Sequence, residues 1–178
     1  MAIARSVWGF IERRDMRLMR RVHRWRAPRW VRVCMLLFTR LGDGWLWCAL
    51  GLVLLFFGGS DGLRAIVAAG TAALAGILVF RVLKRTSRRQ RPCHLEPHCW
   101  ATILPPDQFS FPSGHTITSF AIAICVAHFY PVSLGYLLFI AGSIALSRII
   151  LGMHFLSDVL AGALLGVGLA YASLALLA

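Results

Sequence analysis

Apolar residues gather along this chain into runs too long and unbroken for the surface of a soluble fold. Five of them, about Gly44 to Gly58, Ala65 to Phe80, Thr116 to Tyr130, Val132 to Leu146 and Val159 to Ala178, predict helices that cross a bilayer. Several fall short of the roughly 20 apolar residues a spanning helix needs, so their ends must recruit flanking residues such as Trp45, Trp47 and Tyr130. Gly58-Gly59-Ser60-Asp61-Gly62 and Pro131 separate neighbouring runs tightly, which predicts two helical hairpins. A shorter run, Val33 to Thr39, is expected to dip into the membrane without crossing it. The longest polar connection, Arg85 to Ser113, carries Pro97, Pro105, Pro106 and Pro112 and reads as a surface loop with a function. The expected fold class is all-α: a polytopic helical membrane protein with about five or six transmembrane helices.

The leading segment breaks this pattern. From Arg5 to about Arg40 it holds eleven arginines mixed with Trp8, Phe10, Ile11, Met16, Leu18, Met19, Val22 and Trp25. That mixture predicts amphipathic helices lying in the interface, with guanidinium groups among lipid headgroups. No apolar core lies between the charges, so a cleavable signal peptide is not expected. The chain thus reads as one membrane-embedded domain, 1–178, with an interfacial segment over 1–42 and a helical core over 43–178. Composition agrees: 58% hydrophobic and 15% charged residues exclude an ordinary soluble domain. A net charge of +12 would suggest nucleic acid in a soluble protein. Here the arginines bracket apolar runs and no nucleic-acid-binding motif is present, so the bilayer and its anionic lipids are the expected partners.

Three polar strings carry candidate chemistry. The first opens with the chain's only lysine: Lys84-Arg85-Thr86-Ser87-Arg88-Arg89-Gln90-Arg91-Pro92. The second is Pro112-Ser113-Gly114-His115, and the third runs from Ser147-Arg148 to His154-Phe155 and Asp158. Under the five-span reading all three emerge at one face of the membrane, which supports a single composite site. His154 and Asp158 are four apart, so on a helix they share a face; the carboxylate can hold the proton of one ring nitrogen and leave the other lone pair free to attack. Pro112-Ser113-Gly114-His115 reads as a helix start, with Ser113 as N-cap, Gly114 admitting a ligand to the backbone amides, and His115 placed to protonate a leaving oxygen. Lys84, Arg91 and Arg148 would neutralise phosphoryl oxygens. For Arg85, Arg88 and Arg89 the expectation is the plainer one of snorkelling flank residues.

Together the strings resemble the signature of the type 2 phosphatidic acid phosphatase superfamily, membrane lipid phosphatases that share a helical core with vanadium-dependent haloperoxidases. The resemblance covers Lys84 to Asp158. It implies a phosphohydrolase with no metal and no cofactor: His154 attacks phosphorus to give a phosphohistidine, Asp158 orients it, His115 protonates the leaving group and water releases phosphate. Lys84, Arg91, Ser113, Gly114 and Arg148 would bind the phosphoryl oxygens. The expected substrate is an anionic phospholipid or polyprenyl phosphate, such as phosphatidic acid, phosphatidylglycerol phosphate or a polyprenyl diphosphate. The alternatives are a lipid phosphotransferase using the same phosphohistidine, and a non-catalytic lipid-binding protein.

Two features stand outside the resemblance. Many bacterial relatives have six spans and an outward-facing site, whereas here eleven leading arginines and six basic residues from Arg81 to Arg91 face Arg64 across the five-span arrangement. By the positive-inside rule the catalytic face then lies in the cytoplasm, most simply at a bacterial cytoplasmic membrane, with the periplasmic or extracellular face as the alternative. Cys93-His94 and His98-Cys99 are closer than usual zinc-ligand spacings, so unligated loop residues are expected; a Cys93–Cys99 disulfide stays open and would require an oxidising compartment. Cys34, Cys48 and Cys125 read as small packing residues, and His23 and His128 as interfacial or packing histidines.

Overall fold

A computed structural model describes residues 2–25, 27–95 and 108–177. In chain order the elements are α1 (Ala2–Arg24), α2 (Arg29–Leu41), α3 (Trp45–Phe57), α4 (Gly59–Ser87), the short α5 (Pro92–Leu95), α6 (Gly114–Phe129), a 3-10 turn at Pro131–Ser133, α7 (Leu134–Ile150) and α8 (Leu156–Leu177). No strand occurs among the described residues; an isolated bridge pairs Gln90 with Phe109. The chain is an all-α integral membrane protein. α4, α7 with its preceding turn, and α8 are long and apolar enough to cross a bilayer, and α6 is apolar but shorter.

The apolar segment ahead of α4 differs from expectation. α3 has only 13 residues and reaches spanning length together with α2, to which it is joined at a bend of 56°. Val33 to Thr39 is part of α2, one arm of that bent pair, a geometry that fits either a broken span or a dip that re-enters. The physical cause is Gly42-Asp43-Gly44, which interrupts the apolar run and turns it.

α6 sits at the centre, packed by α4, α7 and α8. Small residues allow the close approach that membrane helices depend on, since apolar lipid supplies no hydrophobic drive between them. A Cβ at Gly166 of α8 would lie 2.5 Å from the Ile117 carbonyl oxygen, and one at Gly162 would lie 2.8 Å from that of Ser113. Ala65, Ala68, Ala69 and Ala72 form the inward ridge of α4, and Ser173 of α8 donates to the Ala68 carbonyl at 2.9 Å. Outward, Leu52, Phe56, Leu74, Leu78, Phe139 and Leu164 are exposed, as lipid-facing side chains must be.

The leading helix does more than rest on an interface. Asp15 and Met19 of α1 are buried, and α1 packs against α7 and α8. In the connection expected from Arg85 onward, Arg85, Thr86, Arg88 and Gln90 are exposed as a surface loop would have them, but Arg89, Arg91, Pro92 and Ser110 are buried.

Candidate active site

The polar strings converge where α4 ends, α6 begins and the α7–α8 turn folds back. Lys84, in the last turn of α4, is buried with its ammonium 5.2 Å from the centre of the Phe80 ring. Arg91 follows the helix end and is 1% exposed; its guanidinium donates to the Met153 carbonyl at 2.8 Å and approaches His154 Nε2 at 3.2 Å. Arg148, at the end of α7, donates to Thr39 of α2 at 2.5 Å. The Arg148 carbonyl accepts both the Met153 and the His154 backbone N–H at 3.0 Å, which turns the chain so that His154 faces the cationic cluster.

His154 precedes α8 rather than lying on it, so its nearness to Asp158 comes from this turn and not from helical spacing. Nδ1 is 3.7 Å from Asp158 Oδ2, longer than a hydrogen bond, and makes none among the described residues. Arginine can only donate, so Nε2 is the acceptor toward Arg91 and the proton resides on Nδ1, the nitrogen facing the carboxylate. Burial above all, then the cations of Arg91, Arg148 and Lys84, hold the His154 pKa well below the ordinary histidine range. At neutral pH the ring is uncharged, with its Nε2 lone pair on the cationic side.

Asp158 is fully buried and its oxygens have other partners. Oδ2 accepts the Phe155 backbone N–H at 2.8 Å, the reach-back half of a capping box at the start of α8, and Oδ1 accepts from Arg89 at 2.6 Å. Arg89 is thus no snorkelling flank residue. Its guanidinium also donates to Asp15 at 2.6 Å and to Ser157 Oγ at 2.7 Å, and it stacks 4.3 Å from the Phe155 ring centre. Asp15 of α1 in turn accepts the Ser157 hydroxyl and, at 3.2 Å, the Ser157 backbone N–H. A helix N-terminus leaves amide donors without intrahelical partners, and here carboxylates from two different helices satisfy them. Asp15 carries a signal that sequence reading passed over: it is one of only seven acidic residues and sits in an arginine-rich helix.

Ser113 occupies the N-cap position of α6, yet its side chain makes no capping bond; its Oγ accepts from Thr116 at 2.9 Å. A Cβ on Gly114 would sit 3.2 Å from the Phe80 ring, so only glycine fits there without displacing it. His115, the next residue, contacts Asp43 Oδ1 through Nε2 at 2.9 Å. Asp43 was not a sequence-level candidate. Its signal was the acidic residue inside Gly42-Asp43-Gly44, where an apolar run breaks.

These groups border a cavity of about 550 Å³, whose polar wall is formed by Asp43, Lys84, Arg91, His115, Arg148 and His154. Its other wall is apolar, including Trp47, Ala73, Ile77 and Ile122. Trp47, Cys48, Ala73 and Ile122 also line a second, almost wholly apolar cavity of about 210 Å³ between α3, α4 and α6, which continues past Leu54 and Val126. Cys48 is exposed, so the apolar wall reaches the outer surface of the helix bundle. Among the described residues no group of three or more His, Cys, Asp or Glu side chains could hold a metal ion. Burial raises the Cys93 pKa, while His98 and Cys99, and with them the Cys93–Cys99 pairing, lie outside the described residues. His23 packs toward Gly152 rather than into the cavity, 2.9 Å from where a Cβ there would sit.

The fold and cavity define a helical membrane protein that gathers two histidines and three cations at the ends of its spans, against an apolar groove. The chain belongs to the PAP2 superfamily, whose profile matches residues 65–178. It is 37% identical over 103 residues to the decaprenylphosphoryl-5-phosphoribose phosphatase of Mycobacterium tuberculosis, covering 58% of this chain and 56% of that protein. The chain thus spans little more than half the length of that relative. The fold is similar to the crystal structure of Aquifex aeolicus LpxE, with a TM-score of 0.74 and 28% identity over 89% of this chain and 93% of the other. A PAP2-type phosphatidylglycerolphosphate phosphatase from Bacillus subtilis gives a TM-score of 0.71 and 25% identity, over 93% and 85% of the two chains.

Proposed function

We propose that this chain is a membrane lipid phosphatase acting on a phosphomonoester or diphosphate whose tail stays in the bilayer. The observation that carries the reading is one cavity with two unlike walls: a cationic wall around a neutral His154, and an apolar wall that continues between α3, α4 and α6. A free sugar phosphate would have no use for the second wall, whereas an acyl or prenyl tail fits it. Phosphatidic acid, phosphatidylglycerol phosphate and polyprenyl diphosphates all have the required chemistry, and the mycobacterial relative is named for a polyprenyl-linked phosphate.

In the mechanism, Lys84, Arg91 and Arg148 draw the phosphoryl oxygens into the cavity, and the backbone amide of Gly114 adds a hydrogen bond where α6 begins, while that of Ser113 is held by the Asp158 carbonyl at 3.1 Å. His154 Nε2 leaves its contact with Arg91 and attacks phosphorus. Burial and Arg148 lower the His115 pKa to about 4, so its ring takes up the transferable proton with the incoming phosphate, whose negative charge favours the protonated form. As the N–P bond forms, the bond to the leaving oxygen breaks and that oxygen takes this proton from His115. The Nδ1 proton of His154 then faces the Asp158 carboxylate, which stabilises the positive ring; a small movement closes their 3.7 Å gap. His115, now neutral, takes a proton from water as the water oxygen attacks phosphorus and the N–P bond breaks, releasing phosphate.

Phosphate release from a panel of these lipids in detergent, with and without EDTA, tests the reading. We expect turnover that survives EDTA, is inhibited by vanadate, and disappears in a folded His154→Ala variant while Asp158→Asn keeps a small residual rate. Strict dependence on a divalent metal, or near-normal release by His154→Ala, overturns it. The basic residues concentrated at the catalytic end of the bundle further lead us to place that end in the cytoplasm.

A further inference from the structure

We propose that Asp43, on the hinge between α2 and α3, is a positioning residue for His115: its carboxylate holds one ring nitrogen and leaves the other to deliver the leaving-group proton. The inference deepens the phosphatase reading and rests on it. His115 Nε2 lies 2.9 Å from Asp43 Oδ1, and Asp43 itself borders the cavity. The hinge is built for this approach. A Cβ on Gly42 would be 2.8 Å from Ile144 Cγ2 and 3.0 Å from His115 Cδ2, so glycine lets the backbone rest against the edge of the ring. Gly44 then takes φ +113°, a conformation L side chains rarely adopt, and turns the chain into α3. Both glycines of Gly42-Asp43-Gly44 are thus committed to the bend, and Asp43 is the side chain the bend presents.

The electrostatics require such a group. Burial above all, then the cation of Arg148 and more weakly that of Lys84, push the His115 pKa down to about 4, and the hydrogen bond and charge of Asp43 are what oppose them. The cations hold the phosphate in the proposed mechanism, so the negative charge that partly offsets them at His115 must come from elsewhere. Asp43 supplies it, while Arg40, 3.6 Å from the other carboxylate oxygen, steadies the carboxylate from the outer side. The arrangement repeats the logic of a carboxylate fixing the tautomer and direction of a catalytic imidazole. Asp43 keeps its charge throughout: the proton lost to the leaving oxygen comes from His115 and returns to His115 from water.

Protonation of the leaving oxygen matters for an alkoxide and little for a nitrophenolate, which departs without a proton. The test therefore compares an alkyl phosphate with an alkylated nitrophenyl phosphate, in detergent, for the wild-type chain, Asp43→Asn, Asp43→Glu, His115→Ala and the Asp43→Asn/His115→Ala double variant. Asp43→Asn is expected to lower kcat on the alkyl ester about 10- to 100-fold and on the nitrophenyl ester by less than about threefold, with Asp43→Glu recovering part of the loss. In the His115→Ala background the Asp43 change should cost nothing further on the alkyl ester, because two residues acting through one proton are not additive. Equal losses on both esters, or additive losses in the double variant, would show a merely structural role and overturn the proposal. Release of phosphate from neither ester by the wild-type chain would instead sink the phosphatase reading itself.

Discussion

Arg89 lies between two carboxylates that water does not reach: Asp15 is 6% exposed and Asp158 is not exposed at all. Removing the cation would leave both acids buried with their charge uncompensated, a far larger cost than losing a surface ion pair. Arg89→Ala is expected to destabilise the fold by about 3–5 kcal/mol, read as a lowered thermal midpoint in detergent. Adding Asp15→Asn to that variant should restore part of the loss by removing one orphaned charge. His154 gives a second expectation at this scale. Its folded pKa is depressed, whereas in the unfolded chain it takes the ordinary value of about 6.5. Below that pH the unfolded chain binds a proton that the fold refuses. Stability is therefore full above about pH 6.5 and declines as pH falls toward the folded value. Thermal midpoints measured between about pH 8 and pH 5 should fall more for the wild-type chain than for His154→Gln; equal slopes would remove His154 as the cause.

At the scale of elements, the glycine face of α8 decides how closely the catalytic turn is held against α6. Gly166→Leu places a branched side chain where even a Cβ would be 2.5 Å from the Ile117 carbonyl oxygen and 3.0 Å from Phe120 Cβ. Overpacking of this kind costs about 1–3 kcal/mol and moves backbone, so both the thermal midpoint and turnover should drop. Gly168→Leu serves as the control, because Gly168 is exposed and nothing lies within 4 Å of a Cβ there. The elements also show what the sequence could and could not convey. Four apolar runs gave α4, α6, α7 and α8 in order, because an uninterrupted lipid-compatible run has few other solutions, and Lys84, Arg91, His115, Arg148 and His154 all reach one cavity. The bend at Gly42-Asp43-Gly44 was legible only as an interruption; whether such a break ends a span or tilts it depends on what packs there, here His115 and Ile144. Arg89 and Asp15 were harder still. A single arginine in a basic run looks like any other, and its burial depends on Asp15 of α1 meeting it from 74 residues away, a pairing that no local pattern announces.

For the whole molecule, charge provides the argument about which way it sits in the membrane. Part of the basic excess serves the site: Lys84, Arg89, Arg91 and Arg148 are buried in the machinery and would be there whichever side it faced. The leading segment is different. Arg13, Arg14, Arg17, Arg20 and Arg21 of α1 are exposed rather than buried in the bundle, so their charge faces the membrane surface. Charges near span ends bias insertion toward the cytoplasm, so the proposed orientation puts the α1 end, and the catalytic cavity with it, on the cytoplasmic side. α4 provides the means to check this, because it runs from Gly59 to Ser87 and its ends lie about 40 Å apart at 1.5 Å per residue. Ser60→Cys and Thr86→Cys, introduced separately into a variant lacking the five native cysteines, put an exposed thiol at each end without altering charge. A membrane-impermeant maleimide applied to intact cells should label the Ser60→Cys protein, and should reach the Thr86→Cys protein only after permeabilisation. The opposite pattern would place the catalytic cavity on the outer face and leave the arginines of α1 as a headgroup-binding surface rather than a determinant of topology.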